Sequence, residues 1–237
     1  MGLDGTAISR RFDDRGSYKT TWALLPVNLR KRKRNHDRSE ADHAEALLSR
    51  ICTPVAKYWA CKRAPQFVAE ALECHGGNGF IADHLMERLY REAPLNGIWE
   101  GTGNVICLDV LRSMQREPET VEVFLGEVAK ARGANARLDA FTDDLTLRLA
   151  NPTGLELVAR RVVEMMALVL QGNLLVRHSS SAVADAFCAT RLDGDWGQAF
   201  GTMPQGLDTQ AIVDRARIEG DIRGSQTGLE RQRLGPV

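Results

Sequence analysis

The apolar residues between positions 47 and 72 recur at steps of three and four, which is the spacing of one face of a helix. The stripe comprises Leu47, Leu48, Ile51, Val55, Tyr58, Trp59, Phe67, Val68, Ala71 and Leu72. Pro54 and Pro65 interrupt it, and each removes a backbone donor from a helix. The pattern therefore predicts a long helical segment from about residue 40, either kinked at the prolines or divided into two abutting helices.

The remainder of the chain also shows helical spacing. Gly76 and Gly77 are placed to supply a left-handed C-cap, and Asp83 is placed to N-cap the next helix. Further helices are predicted over 84–91, 105–115, 118–132, 136–149, 153–176, 180–190 and 207–218. No segment alternates as a strand does, so the predicted fold class is all-α, an antiparallel helical bundle followed by a helical extension.

The same patterns divide the chain into four parts. Residues 1–39 show no sustained period and carry a basic run, so they are predicted to be irregular. Residues 40–116 form the first helical block and residues 117–220 the extension. The polar tail, residues 221–237, is predicted to be disordered.

Charge and cysteine content narrow the class of protein. Thirty-one basic residues balance thirty-one acidic ones, so no overall field attracts nucleic acid or a membrane surface. The five cysteines have no CxxC pairing, which is typical of a reducing compartment. The polar N-terminus is not expected to act as a signal peptide, and no apolar run approaches the roughly 20 residues that span a bilayer. A cytoplasmic protein without a membrane partner is expected.

The stretch REAPLNGIWEGTGN joins two predicted helices through a corner that carries Glu100. Backbone N–H groups at a helix N-terminus attract negative charge, and Gly101 and Gly103 allow another molecule close to the backbone. One interpretation makes Glu100 a general base, partly desolvated against Trp99. The other makes the corner a helix-capping loop with an acidic first turn. The residues of this stretch alone leave both open.

The stretch ECHGGNGF is a second candidate, because Gly76, Gly77 and Gly79 could lie flat against a phosphate or a ribose. Its spacing is neither GxGxxG after a strand nor a phosphate-binding loop ending in Lys-Ser or Lys-Thr. A glycine cap between two helices is the alternative. His75 and His84 could meet across this turn, but no HExxH or CxxC spacing indicates zinc, and no metal site is predicted.

Taken together, ECHGGNGF, RLYREAPLNGIWEGTGN and CLDVLR resemble the C-terminal region of FAD-dependent acyl-CoA dehydrogenases. The preceding TPVAKYWACKRAPQFVAEALE is similar to their AidB-like branch, the DNA alkylation response proteins that resemble isovaleryl-CoA dehydrogenase. The resemblance covers about residues 40 to 115 strongly and 116 to 205 more loosely. It favours the functional interpretation of both glycine-rich stretches.

The resemblance implies a role for each matching residue. Glu100 falls on the base that removes the α-proton of an acyl-CoA thioester while a hydride passes from the β-carbon to FAD. The flavin-binding positions that it implies are Gly76, Gly77, Asn78, Gly79, Ile98, Trp99, Gly101, Thr102, Gly103 and Asn104. In the family the glycine turn lies near the flavin of a neighbouring subunit, which implies a homo-oligomer.

The chain also departs from the pattern of this family in two respects. Family members carry an N-terminal helical domain and a middle β-domain before the matching region, so the chain is expected to be an N-terminally truncated portion. In the AidB-like branch the extension is associated with DNA, and Arg160, Arg161 and Arg177 are candidate contacts. Residues 115–220 nevertheless carry eleven basic against fifteen acidic residues. A DNA-binding module and an inactive helical oligomerisation fragment are therefore the alternatives to an enzyme.

Overall fold

The computed structural model describes residues 40–151, 153–194, 197 and 199–217, and every regular element there is helical. The α-helices are α1 (Glu40–Glu73), α2 (Gly77–Phe80), α3 (Leu85–Glu92), α4 (Gly103–Arg116), α5 (Glu119–Val128), α6 (Ala136–Ala150), α7 (Ala159–His178), α8 (Ser181–Arg191) and α9 (Thr209–Ala216). Single 3-10 turns occupy Ala93–Gly97, Ala129–Ala131 and Leu155–Val158. The predicted all-α class is confirmed, whereas residues 1–39 and 221–237 lie outside the described residues. None of these helices is long and apolar enough to cross a membrane.

Helix α1 runs unbroken for 34 residues with both prolines inside it. The alternative of two abutting helices is therefore wrong, and the alternative of one helix kinked at the prolines stays a prediction. A proline inside a helix costs about 3 kcal/mol, and a helix that tolerates two needs compensation from its packing. Helices α4, α5 and α7 supply it, because all three pack along α1.

The core forms where α1, α4, α5 and α7 meet. Ile51 and Val55 of α1, Val110 of α4, Phe124 of α5 and Met166 of α7 are all 0% exposed. One continuous cluster of buried side chains thus joins residues of both predicted blocks. The division into blocks at residues 116 and 117 stays a prediction.

The N-cap residue of α3 differs from the predicted one. His84, not Asp83, is the N-cap, and its ring nitrogen accepts from the backbone N–H of Met86 at 3.4 Å. The His84 ring also lies beside that of His75, with the ring centroids 5.0 Å apart. The imidazole nitrogen thus accepts a backbone hydrogen bond in place of the Asp83 carboxylate, which was predicted to cap the helix. The helix begins at Leu85, one residue later than predicted.

The core packing predicts a contrast between two leucines of α6. Leu145 is 0% exposed within the core, whereas Leu147 is 73% exposed. Leu145→Ala should lower the free energy of unfolding by about 2–5 kcal/mol, because it leaves a cavity, and Leu147→Ala should change it by less than about 0.5 kcal/mol. Urea unfolding followed by circular dichroism measures both. Equal losses would contradict the packing of α6 against α7.

Candidate functional site

The corner between α3 and α4 is a backbone turn with an unusual conformation at its acidic residue. Glu100 has φ +58°, the one non-glycine residue with a positive φ in the described chain, and Gly101 follows with φ +114°. The left-handed region costs an ordinary residue roughly 1–2 kcal/mol. A glycine would remove that cost, so the carboxylate stands at a position where the backbone alone would favour glycine.

Two side chains of α1 hold the corner. The Lys57 ammonium donates to the carbonyl oxygens of Trp99 at 2.7 Å and Gly101 at 2.9 Å, on either side of Glu100. One turn further along α1, the Cys61 thiol donates to the carbonyl oxygen of Asn96 at 2.7 Å. Charge-assisted bonds from one ammonium to two carbonyls fix the direction of the chain between them. The strained conformation of Glu100 is therefore held from outside the corner.

Neither Lys57 nor Cys61 was identified as a site residue from the sequence. Their spacing of four places them on one face of α1, but nothing in the sequence indicates which loop that face meets. Burial raises the pKa of the Cys61 thiol, a shift that nearby Lys57 and Lys62 oppose and Glu100 reinforces. The thiol consequently stays protonated near neutral pH and serves as a hydrogen-bond donor.

The surface around Glu100 is apolar and open. Ile98 is 59%, Trp99 51%, Val105 58% and Leu108 40% exposed, and Glu100 itself is exposed. We expected Trp99 to shield the Glu100 carboxylate from water. Among the described residues it does not, because both side chains are exposed. An apolar surface of this kind can dock a flat or aliphatic partner.

The helix cap lies two residues beyond Glu100. Thr102 is the N-cap of α4, its side chain makes no capping bond, and the first turn of α4 has no acidic residue. The interpretation of Glu100 as part of an acidic first turn is therefore wrong. Thr102 and Asn104 are exposed, whereas Gly103 between them is buried. The two polar side chains are thus available to a ligand on the outer surface.

Gly103 has a packing role that the sequence did not indicate. A Cβ at this position would lie 2.7 Å from Lys62 Cε and 3.1 Å from Arg160 Nη2. The absence of a side chain therefore lets two cations of other helices lie against the start of α4. Gly103 faces the protein interior here, away from the exposed side of Thr102.

The glycine turn after α1 combines one open and one packed glycine. Gly76 adopts φ +56° and ψ −145°, which is a glycine conformation but not the left-handed helical cap that was predicted. A Cβ at Gly79 would lie 2.4 Å from the Leu72 carbonyl oxygen, so α2 packs directly on the end of α1. Gly77 and Asn78 are exposed. The turn thus presents backbone and one amide side chain to the surface.

The structure does not bring this turn to Glu100. The corner contacts α1 at Lys57 and Cys61, and Gly76 follows the end of α1 at Glu73. At 1.5 Å per residue, the two places lie roughly 20 Å apart along the helix. One ligand can contact both stretches only if it is an extended molecule. Otherwise a second chain must bring the glycine turn of one copy to the corner of another.

The three arginines predicted to contact DNA do not form one patch. Arg160 and Arg161 lie exposed at the start of α7, and Arg177 lies at its other end, roughly 25 Å away by helix rise. Arg177 pairs with Glu127 at 2.9 Å. Burial raises the pKa of Glu127, but bonds from Lys130 and Arg177 outweigh it and hold the pKa below the usual value. DNA contact by these residues stays a prediction.

The region that contains the corner matches a known protein family. Residues 34–115 match the family model described as the acyl-CoA dehydrogenase C-terminal domain. This part of the chain is similar to an acyl-CoA dehydrogenase C-terminal domain. It contains Glu100, the glycine turn and both residues of α1 that hold the corner, so the resemblance seen in the motifs is confirmed at the level of the family.

Two full-length relatives extend the similarity beyond this domain. The putative acyl-CoA dehydrogenase AidB of Escherichia coli K12 is 37% identical over 153 residues, which are 65% of this chain and 28% of AidB. Acyl-CoA dehydrogenase family member 11 of Caenorhabditis elegans is 32% identical over 166 residues, which are 62% of this chain and 27% of that protein. The chain thus spans less than a third of the length of these relatives.

Solved structures agree with the fold. The structure of C. elegans ACDH-11 in complex with C11-CoA aligns with a TM-score of 0.51 and 29% identity, over 72% of this chain and 30% of that one. The apo-form of Bd2924 aligns with a TM-score of 0.53 and 24% identity, over 70% of this chain and 30% of that one. The aligned 70% is longer than residues 1–115, so part of the chain after residue 115 is also shared.

The strain at Glu100 leads to a stability prediction. Glu100→Gly removes the cost of φ +58°, whereas Glu117→Gly, at φ −133°, only adds backbone freedom to the unfolded chain. The free energy of unfolding of the first variant should exceed that of the second by about 1 kcal/mol. Urea titration gives both values. Equal losses would show that Glu100 is not strained.

The two bonds from Lys57 lead to a prediction about local motion. Lys57→Met keeps the length of the side chain but removes both donors, so the backbone amides of residues 98–103 should exchange hydrogen about tenfold faster. Lys62→Met is the matched control, because Lys62 makes no hydrogen bond to the corner among the described residues. Hydrogen exchange read by mass spectrometry distinguishes them. Similar exchange in the two variants would contradict the role of Lys57.

Proposed function

We propose that this chain contributes the catalytic base and one wall of the active site of an FAD-dependent acyl-CoA dehydrogenase. The observation that carries the proposal is Glu100, held in a left-handed conformation by Lys57 at an exposed apolar surface. A protein keeps a conformation of this cost where the side chain has a task that glycine cannot perform. The family match over residues 34–115 supports the same assignment.

The base would act on the carbon next to the thioester carbonyl of an acyl-CoA. Glu100 accepts the α-proton on a carboxylate oxygen, and this step needs the carboxylate close to that carbon and shielded from water. The exposed side chains of Trp99, Val105 and Leu108 are suited to border an aliphatic chain and to exclude water once it is bound. ACDH-11, a relative whose structure holds C11-CoA, is consistent with a substrate of this class.

The residues at the start of α4 fit a flavin. Thr102 makes no capping bond and Asn104 is exposed, so a hydroxyl and an amide lie free at the positive end of a 14-residue helix. These two, with the backbone of Gly101, would bind FAD near the corner. When bound, FAD supplies the acceptor for the hydride that leaves the β-carbon.

The glycine turn fits a ligand that reaches it from another subunit. Gly76, Gly77 and Asn78 are open at the surface, roughly 20 Å along α1 from the corner. A flavin bound at the corner of a second copy of the chain could contact the glycine turn of the first copy. Neither stretch would then have to move. We therefore include a homo-oligomer and a cytoplasmic location in the proposal.

The test uses the 237-residue chain incubated with FAD and then freed of unbound flavin. Retained flavin should bleach when a saturated acyl-CoA is added, and light scattering on the same sample should give a mass above that of one chain. Glu100→Gln should retain the flavin but slow bleaching at least about a hundredfold, because an amide cannot accept the proton.

Glu117→Gln is the control, since Glu117 is exposed at the end of α4 and makes no side-chain bond among the described residues. It should bleach at the unchanged rate. Absence of both flavin and bleaching would reject the activity for this chain. Salt-sensitive retention of duplex DNA that falls in both Arg160→Gln and Arg161→Gln would favour the DNA-binding alternative instead.

A further inference from the structure

A pocket lies between α5 and α6, in the part of the chain that follows the acyl-CoA dehydrogenase match. Both helices pack on α7, and the chain between them passes through the 3-10 turn Ala129–Ala131. The space that the two helices leave has a volume of about 340 Å³. Its lining lies within residues 125–146 and includes no residue of the corner at Glu100.

Half of the side chains around the pocket are apolar. They are Leu125, Val128, Ala129, Ala131 and Leu138. Val128, Ala131 and Leu138 are almost fully buried, and α7 supports them from behind, because Leu138 Cδ1 lies 2.8 Å from where a Cβ of Gly172 would stand. Water on such a surface finds few hydrogen-bond partners, so its release would favour the binding of an apolar molecule.

The polar side chains of the lining already have partners within the chain. The Thr142 and Thr146 hydroxyls donate to the carbonyl oxygens of Leu138 and Thr142 in their own helix, at 2.7 Å and 2.8 Å. Asp139 accepts from the backbone N–H of Gly133 with both carboxylate oxygens, at 3.3 Å and 3.1 Å. A ligand without polar atoms therefore leaves none of these groups unsatisfied.

An ion pair lies at the mouth of the pocket. Arg132 binds Asp143 through two parallel bonds, with Nη1–Oδ1 at 2.6 Å and Nη2–Oδ2 at 3.0 Å, and both side chains are more than half exposed. The Arg132 guanidinium holds the pKa of the Asp143 carboxyl below its usual value, so the pair stays charged near neutral pH.

The charges around the mouth do not balance. Arg132 also lies 3.9 Å from Asp139, so two carboxylates of the lining face one guanidinium. The lining thus carries one net negative charge. An anion that entered the pocket would be repelled, whereas an uncharged molecule would not be.

We propose that this pocket binds a small uncharged apolar molecule. A dry cavity of about 150 Å³ accommodates benzene. A pocket of about 340 Å³ accepts a molecule roughly twice as large, such as a fused two-ring compound or an aliphatic chain of medium length. The proposal does not rest on Glu100 or on FAD, so it holds or fails independently of the proposed function.

The probe is N-phenyl-1-naphthylamine, an uncharged dye that fluoresces more strongly in an apolar environment, titrated into the full chain. Ala129→Phe should weaken its binding about tenfold or more, because a ring at this exposed edge of the lining occupies the space. Ala140→Phe is the matched control, since Ala140 is an exposed alanine of α6 outside the lining. It should change the affinity by no more than about twofold.

Hydrogen exchange read by mass spectrometry locates the dye without any substitution, and it decides the matter if Ala129→Phe does not fold. The dye should slow exchange of the backbone amides of residues 125–146 at least about threefold, because a bound ligand stabilises the folded segment. Residues 98–103 should be unaffected. This contrast separates the pocket from the exposed apolar surface around Glu100.

Displacement of the dye tests the selectivity for charge and for shape. Octylamine should displace it more strongly than octanoate of the same chain length, because the lining carries net negative charge. Displacement by 1-octanol alone would assign the ligand to aliphatic compounds, and displacement by 2-naphthol alone would assign it to aromatic ones. Displacement by both would assign it to the apolar chemistry that they share.

Four results would overturn the proposal. The first is an absence of saturable dye binding, or binding that neither 1-octanol nor 2-naphthol displaces. The second is an equal effect of Ala129→Phe and Ala140→Phe on the affinity of folded protein. The third is slowed exchange confined to residues outside 125–146, and the fourth is displacement by octanoate at least as strong as that by octylamine.

Discussion

Helix α1 determines the arrangement of everything around it, because its three faces meet three different parts of the molecule. Ile51 and Val55 enter the core, and Lys57 with Cys61 binds the corner that carries Glu100. Lys62 and Arg63 border a cleft that α1 forms with α7 and α8. Since successive residues of a helix differ by about 100° in direction, neighbours such as Cys61 and Lys62 face different parts of the molecule. Both prolines lie outside the segment that carries Lys57, Cys61 and Lys62, and packing against α4, α5 and α7 keeps the helix whole.

The corner and the start of α4 share a physical feature, which is that each carries an unfavourable local arrangement held by the surrounding fold. Glu100 keeps a positive φ because Lys57 binds the carbonyls on both sides of it. Lys62 and Arg160 stay close to the start of α4 although all three are positive. Protein cores of ordinary stability can support such costs, and sites that bind or react commonly contain them.

Sequence reasoning succeeded where local rules and long patterns agree. The helices over 105–115 and 136–149 appear as Gly103–Arg116 and Ala136–Ala150, because their apolar spacing coincides with burial. It failed at details that depend on contacts between distant residues. His84 replaced Asp83 as the cap of α3, since the imidazole nitrogen accepted the Met86 N–H, and Gly76 adopted a different backbone conformation because α2 packs on the end of α1.

What the sequence determined by itself is the helical class, the course of its helices and the similarity of residues 34–115 to the acyl-CoA dehydrogenase C-terminal domain. Each of these depends on short-range spacing or on linked motifs. It also singled out Glu100 as a residue at an unusual corner. Only the tertiary structure revealed that Lys57 and Cys61 hold that corner and that Lys62 meets Arg160 over Gly103. These contacts join residues more than thirty positions apart, and such pairings follow from how helices pack, which side-chain spacing along one helix does not specify.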